Sequence, residues 1–251
     1  MRALVTGMNG TVAPVLARAL VASGAEVVAW DRGADPPRSR EAVAETVRRE
    51  APGWVCHLAT GPEAWAGWVA EACAASGVRV LLTSSVSVFA PRDAGPIPPE
   101  ATPDATDDYG RYKARAEALV REAAPRALIA RLGWQIGRAP GSNTMTDWMH
   151  REGTAHDVVR ASAHWRPACS WLEDTADALV RLMASGDGAS GGTYHLDGCG
   201  PLTFYDLALG LRAHLGGGWR VERTEEPRMD LRMADPRVRV RPVAERLPPR
   251  G

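Results

Sequence analysis

The feature that most narrows what this chain can become is the alternation of short apolar runs with helical patterns through its first half. "RALVT" (2–6), "AEVVAW" (25–30), "GWVCHLA" (53–59), "VRVLLTSS" (78–85) and "ALIARLGW" (127–134) are all of strand length. Strands that read as continuous apolar runs, joined by amphipathic helices, are the mark of βαβ units, so the pattern predicts a parallel sheet covered by helices. Residues 10–21 place Val12, Val15, Leu16, Ala19 and Leu20 on one side of a helix. Residues 39–50 open on Ser39, a good N-cap, and set Val43 and Val47 four apart. A further helix is expected over 63–76, ahead of the most apolar and therefore central strand, 78–85. Residues 90–108 carry four prolines within ten positions and read as loop, and Tyr109 opens the helix that follows. "GTYHLDG" (192–198) is expected to be the last strand.

A chain of 251 residues accommodates one large α/β domain, or one domain with a small appendage. Its 30 basic and 30 acidic residues cancel, so no molecule-wide field favours nucleic acid or an anionic membrane, and neither is expected as a partner. No apolar run reaches the roughly 18 residues of a spanning helix. The opening "MRALVTGMNG" reads as a strand entering a glycine turn rather than as a signal peptide, so a soluble, cytoplasmic protein is expected. The four cysteines, Cys56, Cys73, Cys169 and Cys199, lie far apart with no CxxC pair and no histidine at metal spacing. They are expected to be reduced, with no metal bound.

Chemistry concentrates in three places. "TGMNGTVA" (6–13) sets Gly7 and Gly10 between the first strand and its helix, where glycine lets the backbone turn sharply and approach a pyrophosphate at the positive end of the helix. Asp31 stands twenty-one residues after Gly10, at the end of the second strand, where a carboxylate accepts from the adenosine ribose of NAD and repels a 2′-phosphate. Arg32, next to it, offers the opposite preference by stacking on adenine or pairing with that phosphate, and NADH is favoured slightly over NADPH. The central strand ends in "TSSVS" (83–87), at the C-terminal edge where open α/β sheets bind ligands. Downstream lies Lys113, the only lysine among 30 basic residues, four after Tyr109 and so on the same helix face. Arginine stays charged and planar whereas lysine is a compact, tunable ammonium, so a lone lysine in this setting points to a specific task.

TGxxGxxA after the first strand, an acid after the second, SSxSVF after a central strand, YxxxK, and then "RLGWQIG" (131–137) together resemble the extended short-chain dehydrogenase/reductases. Within these the chain is most similar to the dTDP-4-dehydrorhamnose reductase branch, to which "REAVAETVRREAPGWV", "GSNTMTDWM" and "GGTYHLDGCGPLTFYDLA" are also similar. The resemblance implies a Rossmann-type, doubly wound parallel sheet with a small C-terminal substrate-binding region. Residues 1–137 and 167–198 would form the NAD(P)-binding core, and 138–166 with 199–251 the substrate portion.

It further implies reduction of a carbonyl on a nucleotide-linked or other small polar sugar by NADH or NADPH. Tyr109 is the implied proton donor and Lys113 the ammonium that stabilises its anion and holds the nicotinamide ribose. Ser85 aligns with the hydroxyl that polarises the carbonyl. Tyr112 competes with Tyr109, but Lys113 follows it directly, and an i, i+1 pair points to different helix faces. Gly7, Met8, Asn9, Gly10, Thr11, Val12, Asp31, Arg32, Leu58, Ala59 and Thr60 are the implied cofactor contacts, together with Tyr109 and Lys113. Ser87, Trp134, Asn143 and Arg166 are candidate substrate contacts. A non-catalytic nucleotide-binding or regulatory subunit, and a sugar-nucleotide epimerase or dehydratase, remain alternatives, and a homodimer is left open.

Two departures stand out. The segment between "HLAT" (57–60) and "VRVLLTSS" is contracted, and no asparagine lies between Asn9 and Asn143. "DRGADPPRS" leaves little room for a strand between Asp31 and the Ser39 helix, so the sheet is expected to lack an edge strand there.

Overall fold

A computed structural model describes residues 1–185 and 190–248. The chain divides into two compact units, one of residues 1–90, 102–131 and 176–194, the other of residues 91–101, 132–175 and 195–251. Relative to the sequence expectation, 132–137, 167–175 and 195–198 group with the second unit, as does 91–101 from the proline-rich loop.

The first unit is built on β1 (Arg2–Val5), β2 (Glu26–Ala29), β3 (Trp54–His57), β4 (Arg79–Ser85) and β5 (Leu128–Leu132). With β10 (Gly192–Leu196) these form a six-stranded sheet in the order β10, β5, β4, β3, β1, β2. β1 pairs in parallel with both β2 and β3, and β3 with β4. This is the doubly wound arrangement, reversing direction at β1. β2 is the edge strand, and no strand stands between it and α2 (Arg40–Glu50), as the short "DRGADPPRS" segment requires. The strand β3 is buried throughout, which explains its unbroken apolar run.

Helices α1 (Ala13–Ala22), α2, α3 (Trp65–Ala75) and α4 (Asp108–Ala123) connect the strands. Ser39 caps α2 by accepting from the Ala42 amide at 3.2 Å. Helix α1 starts three residues later than its apolar spacing suggests, because residues 8–12 form a turn and Pro14 fits only the first helical turn. A core of Val43 and Val47 from α2, Val69 and Cys73 from α3, Ala116 and Val120 from α4, and Leu4, Val55, Val80 and Leu82 from the sheet holds one face together.

In the second unit the expected strand 127–134 breaks at Gly133. Trp134–Ile136 is a separate strand, β6, which pairs in parallel with β9 (Cys169–Trp171). Helix α5 (Met145–His156) is followed by β7 (Val158–Ser162) and β8 (Trp165–Arg166). Helix α6 (Leu172–Ala184) precedes β10, and α7 (Phe204–Leu215) follows it. Residues 192–198 do not supply the last strand, since β11 (Arg220–Thr224) pairs with β7 and β12 (Met229–Asp230) with β8. "RVERT" has no apolar alternation to announce it, and its place is set by the backbone ladder to β7. The core here includes Met145, Met149, Val159, Trp171, Phe204, Leu207 and Leu211. All four cysteines are free and buried. Among the described residues no helix is long and apolar enough to cross a membrane, and no group of three or more His, Cys, Asp or Glu is gathered as a metal site.

Candidate active site

The sheet order sets the ends of β2, β1, β3 and β4 side by side. Asp31 follows β2, Gly7 follows β1, Leu58 to Thr60 follow β3, and Ser85 ends β4. Three inter-strand steps of about 4.8 Å separate the outer two, a span of roughly 14 Å that suits an extended dinucleotide.

Gly7 takes φ +83°, and a Cβ there would stand 2.9 Å from the Ala59 amide nitrogen, so only glycine fits the turn. The Gly10 amide closes the turn on the Gly7 carbonyl at 2.7 Å. Val12 caps α1 without a side-chain hydrogen bond, and no acid sits in its first turn. An uncapped, positive helix end beside a glycine cradle is the arrangement that accepts a pyrophosphate. Met8, Thr11 and Val12 are half-buried in this turn and Asn9 is exposed.

Beneath it, the Thr6 hydroxyl accepts from the Leu58 and Ala59 amides at 3.0 and 3.1 Å. With both acceptor positions used, its proton goes to His57 Nδ1, 3.1 Å away. Burial, reinforced by the Lys113 charge, pushes His57 down to about 3, so the ring is neutral at physiological pH. The amides of Leu58 and Ala59 are therefore committed to Thr6, and these residues can line the cofactor's path only through their other atoms.

Asp31 accepts from the Gly33 amide at 2.7 Å through Oδ1 and is otherwise exposed. Arg32 is exposed but engaged by its own chain. Its guanidinium donates to the Thr60 carbonyl at 3.1 Å and lies 5.5 Å from the centre of the Trp65 ring.

At the end of β4 the Ser85 hydroxyl accepts from the Ser87 amide at 3.1 Å and bonds the Ser87 hydroxyl at 3.1 Å, opening a short 3-10 turn over Val86–Val88. Asp107 caps α4 by accepting from the Gly110 amide at 2.9 Å. A Cβ on Gly110 would come within 2.0 Å of the Ser87 carbonyl oxygen. Glycine at this position is what lets the start of α4 lie directly on the serine turn, and it sets Tyr109 beside Ser85. Half of the Tyr109 surface is open. Its phenol is raised above the ordinary tyrosine value, chiefly by desolvation, with the neighbouring Ser85 hydroxyl opposing and Tyr112 and Asp107 adding to the rise.

One turn on, Lys113 is buried and donates to the Thr83 carbonyl at 3.1 Å, with Nζ 5.9 Å from the Tyr109 ring centre. Burial lowers its pKa to about 8, and Glu117 pushes the other way. Glu117 is fully buried and held by Arg131 through two hydrogen bonds of 2.9 and 2.7 Å. Tyr112, as its helix position requires, is turned elsewhere: its hydroxyl accepts from the Gly61 amide at 3.1 Å.

The structure thus gathers Ser85, Ser87, Tyr109 and Lys113 at one strand end of the first unit. Trp134, Asn143 and Arg166 belong to the second. There Trp134 joins an aromatic cluster with Trp148, Trp165 and Phe204, at ring separations of 5.7, 6.3 and 6.2 Å from Trp134. Asn143 is exposed between β6 and α5, and Arg166 pairs in register with Asp230, whose carboxylate Arg232 holds at 2.8 and 2.6 Å. Thr6, His57, Thr83, Gly110, Glu117 and Arg131 were not singled out from sequence. Thr6, Thr83 and Arg131 stand inside the quoted motifs and Gly110 adjoins the tyrosine, so their positions could have drawn notice, whereas nothing local marks Glu117.

A sequence model of the RmlD substrate binding domain matches residues 63–220. The chain belongs to this family. The RmlD match holds Ser85, Tyr109, Lys113, Trp134, Asn143 and Arg166, while the glycine turn and Asp31 precede it. Membership places the chain in the dTDP-4-dehydrorhamnose reductase-like branch of the extended short-chain dehydrogenase/reductases. Among curated relatives, 2'-dehydrokanamycin reductase of Streptomyces kanamyceticus is 30% identical over 232 residues, covering 82% of this chain and 64% of that protein. The chain therefore spans somewhat under two thirds of that relative's length. The dTDP-4-dehydrorhamnose reductase of Sinorhizobium fredii is 28% identical over 228 residues, covering 83% of this chain and 76% of that one. Among solved structures, dTDP-4-dehydrorhamnose reductase from Bacillus anthracis in complex with NADP superposes with a TM-score of 0.79 at 19% identity, over 93% of this chain and 90% of that one. That likeness establishes the RmlD-type Rossmann fold.

Proposed function

We propose that the protein is an NAD(P)H-dependent reductase acting on the carbonyl of a nucleotide-linked or other small polar sugar. The observation that carries this reading is Tyr109 at the start of α4, set on the Ser85–Ser87 turn through Gly110, with the buried Lys113 ammonium one turn away at the end of β4. The curated relatives, two reductases by name, support the same reaction class.

Gly7, Gly10 and the first turn of α1 would hold the pyrophosphate, Asp31 the adenosine ribose, and Lys113 the nicotinamide ribose. When bound, the dinucleotide supplies hydride to the carbonyl carbon. The Ser85 hydroxyl binds the carbonyl oxygen and polarises it. Tyr109 delivers a proton to that oxygen as negative charge develops there. A phenol so placed is a weak acid, and the Lys113 ammonium stabilises the anion it leaves. The phenol returns to its protonated form by exchange with solvent, to which Tyr109 is open.

NADH is the preferred reductant in this reading. Arg32 is engaged by Thr60 and Trp65, so the group facing an adenosine ribose is the Asp31 carboxylate, which repels a 2′-phosphate. Fluorescence titration of the purified chain with NADH and NADPH, followed by turnover on a panel of keto-sugar nucleotides and keto-amino sugars, tests the proposal. Binding of NADH with oxidation on at least one such carbonyl is expected. Failure of either nucleotide to bind at millimolar concentration refutes it.

A further inference from the structure

We propose that Tyr112 is a cofactor-positioning residue, whose phenol fastens the shortened loop after β3 to the helix that carries Tyr109 and Lys113. The inference rests on the reading above, in which a dinucleotide lies across the ends of β2, β1, β3 and β4.

The loop runs from Leu58 to Ala64, between β3 and α3. Its anchors follow one another along the chain. The Thr60 carbonyl accepts from Arg32, at the end of β2, at 3.1 Å. The Gly61 amide donates to the Tyr112 hydroxyl at 3.1 Å. Glu63 pairs with Arg115, one helical turn beyond Tyr112 on α4. Trp65 packs under Gly61, so closely that a Cβ at Gly61 would come within 2.7 Å of its ring. The loop is therefore tied to the edge strand beside Asp31 and to the helix of Tyr109 and Lys113, and it bridges the two ends of the dinucleotide's path.

Of these ties, Arg115 with Glu63 joins two half-exposed side chains and contributes little. The phenol of Tyr112 is the half-buried one, and it satisfies a backbone amide directly. Its oxygen stands several bonds farther from the helix than a serine or threonine hydroxyl would. That length carries the hydroxyl from α4 to the Gly61 amide. Ala59, two residues before Gly61, is the neighbour against which Gly7 turns. Loosening the loop therefore loosens the glycine cradle, and the cost of ordering both falls on cofactor binding.

The catalytic groups have independent supports: Lys113 on the Thr83 carbonyl, and Tyr109 through the contact of Gly110 with Ser87. Tyr112→Phe should consequently raise the KM and dissociation constant for NADH about three- to tenfold, the value of one hydrogen bond. At saturating cofactor kcat should stay within about twofold, with the KM for the carbonyl substrate unchanged. A merely structural role would lower the thermal midpoint without that split.

The experiment compares Tyr112→Phe with wild type by NADH titration and steady-state kinetics. It also measures hydrogen exchange at the Gly61 amide in the unmutated chain, which keeps the test open if the variant does not fold. The expected exchange is slow before cofactor is added and slower after. Equal NADH affinity in variant and wild type overturns the Tyr112 assignment alone, as does loss of kcat without a change in cofactor KM, or Gly61 exchange at the rate of a free loop amide. A wild-type chain that binds no dinucleotide overturns the underlying reading and this one with it.

Discussion

Lys113 donates to the Thr83 carbonyl at 3.1 Å, so the last buried turn of β4 fixes where the chain's single lysine sits relative to the Tyr109 ring. The bond ties the helix to the strand two residues before Ser85, so the ammonium is placed by the same strand that ends in the serine. Their separation is set by the sheet rather than by a flexible loop, as a preorganised proton donor requires.

Tyr109→Phe removes the proton and keeps the ring. Turnover is expected to fall by about 100-fold or more, the usual worth of a positioned general acid, with NADH affinity within a few-fold of wild type. Stopped-flow reduction and equilibrium titration check the two halves separately. Retention of wild-type kcat with an identified substrate would exclude Tyr109 as donor.

Burial lowers Lys113 from 10.5 to about 8, so its ammonium is present below that pH and is lost as pH rises through it. Tyr109 is shifted upward, so the phenol stays protonated over the same interval. The pH profile of kcat/KM, which reports the free enzyme, should therefore descend with a midpoint near 8 that belongs to the lysine. Lys113→Arg should abolish that limb and still reduce kcat strongly, because a planar guanidinium directs its charge differently.

Gly110→Ala places a methyl group where the Ser87 carbonyl oxygen stands 2.0 Å away. The start of α4 must shift outward, carrying Tyr109 off Ser85. Loss of about 100-fold in kcat with NADH binding largely kept is expected, since small misplacements of a reacting group have effects of that size. An alanine variant as active as wild type would show that the close contact does not hold Tyr109.

Glu117 and Arg131 form a fully buried bidentate pair behind Lys113, with the Arg131 guanidinium also over the Phe89 ring at 4.9 Å. Arg131→Met leaves the buried carboxylate only the long contact to Arg121 at 3.4 Å and should destabilise the first unit by about 3 kcal/mol. Replacing both residues together with apolar ones of similar volume should cost less than the single change. A urea-denaturation cycle of the two singles and the double measures the difference.

Asp31→Ser removes the charge that opposes a 2′-phosphate. The preference of NADH over NADPH should fall about tenfold or reverse, measured as the ratio of the two kcat/KM values. An unchanged ratio would mean that Asp31 does not face the adenosine ribose.

Much of the first unit was legible because its information is local. Apolar runs and helical spacing give the βα alternation, and the glycines, the acid at the end of β2, the serine at the end of β4 and the Tyr109–Lys113 spacing each lie where an element begins or ends. The second unit was less so. Strands such as Arg220–Thr224 carry charged side chains, and their place depends on a distant ladder to β7 that no periodicity signals. The break at Gly133 was hidden for the same reason, because Trp134 leaves the apolar run only to reach the Ala168 carbonyl at 2.8 Å.

The sequence by itself determined the order of the elements in the first unit, the end of the sheet where chemistry would gather, and the residue types available there, since each follows from spacing along one strand or one helix. Tertiary structure alone decided how those residues are held. The Thr6 hydroxyl between Ala59 and His57, the Gly61 amide on Tyr112, the Arg131 side chain on Glu117 and the Gly110 contact with Ser87 join positions from 14 to 53 residues apart. Such contacts are made through space as the strands align, and the chain carries no local pattern for them.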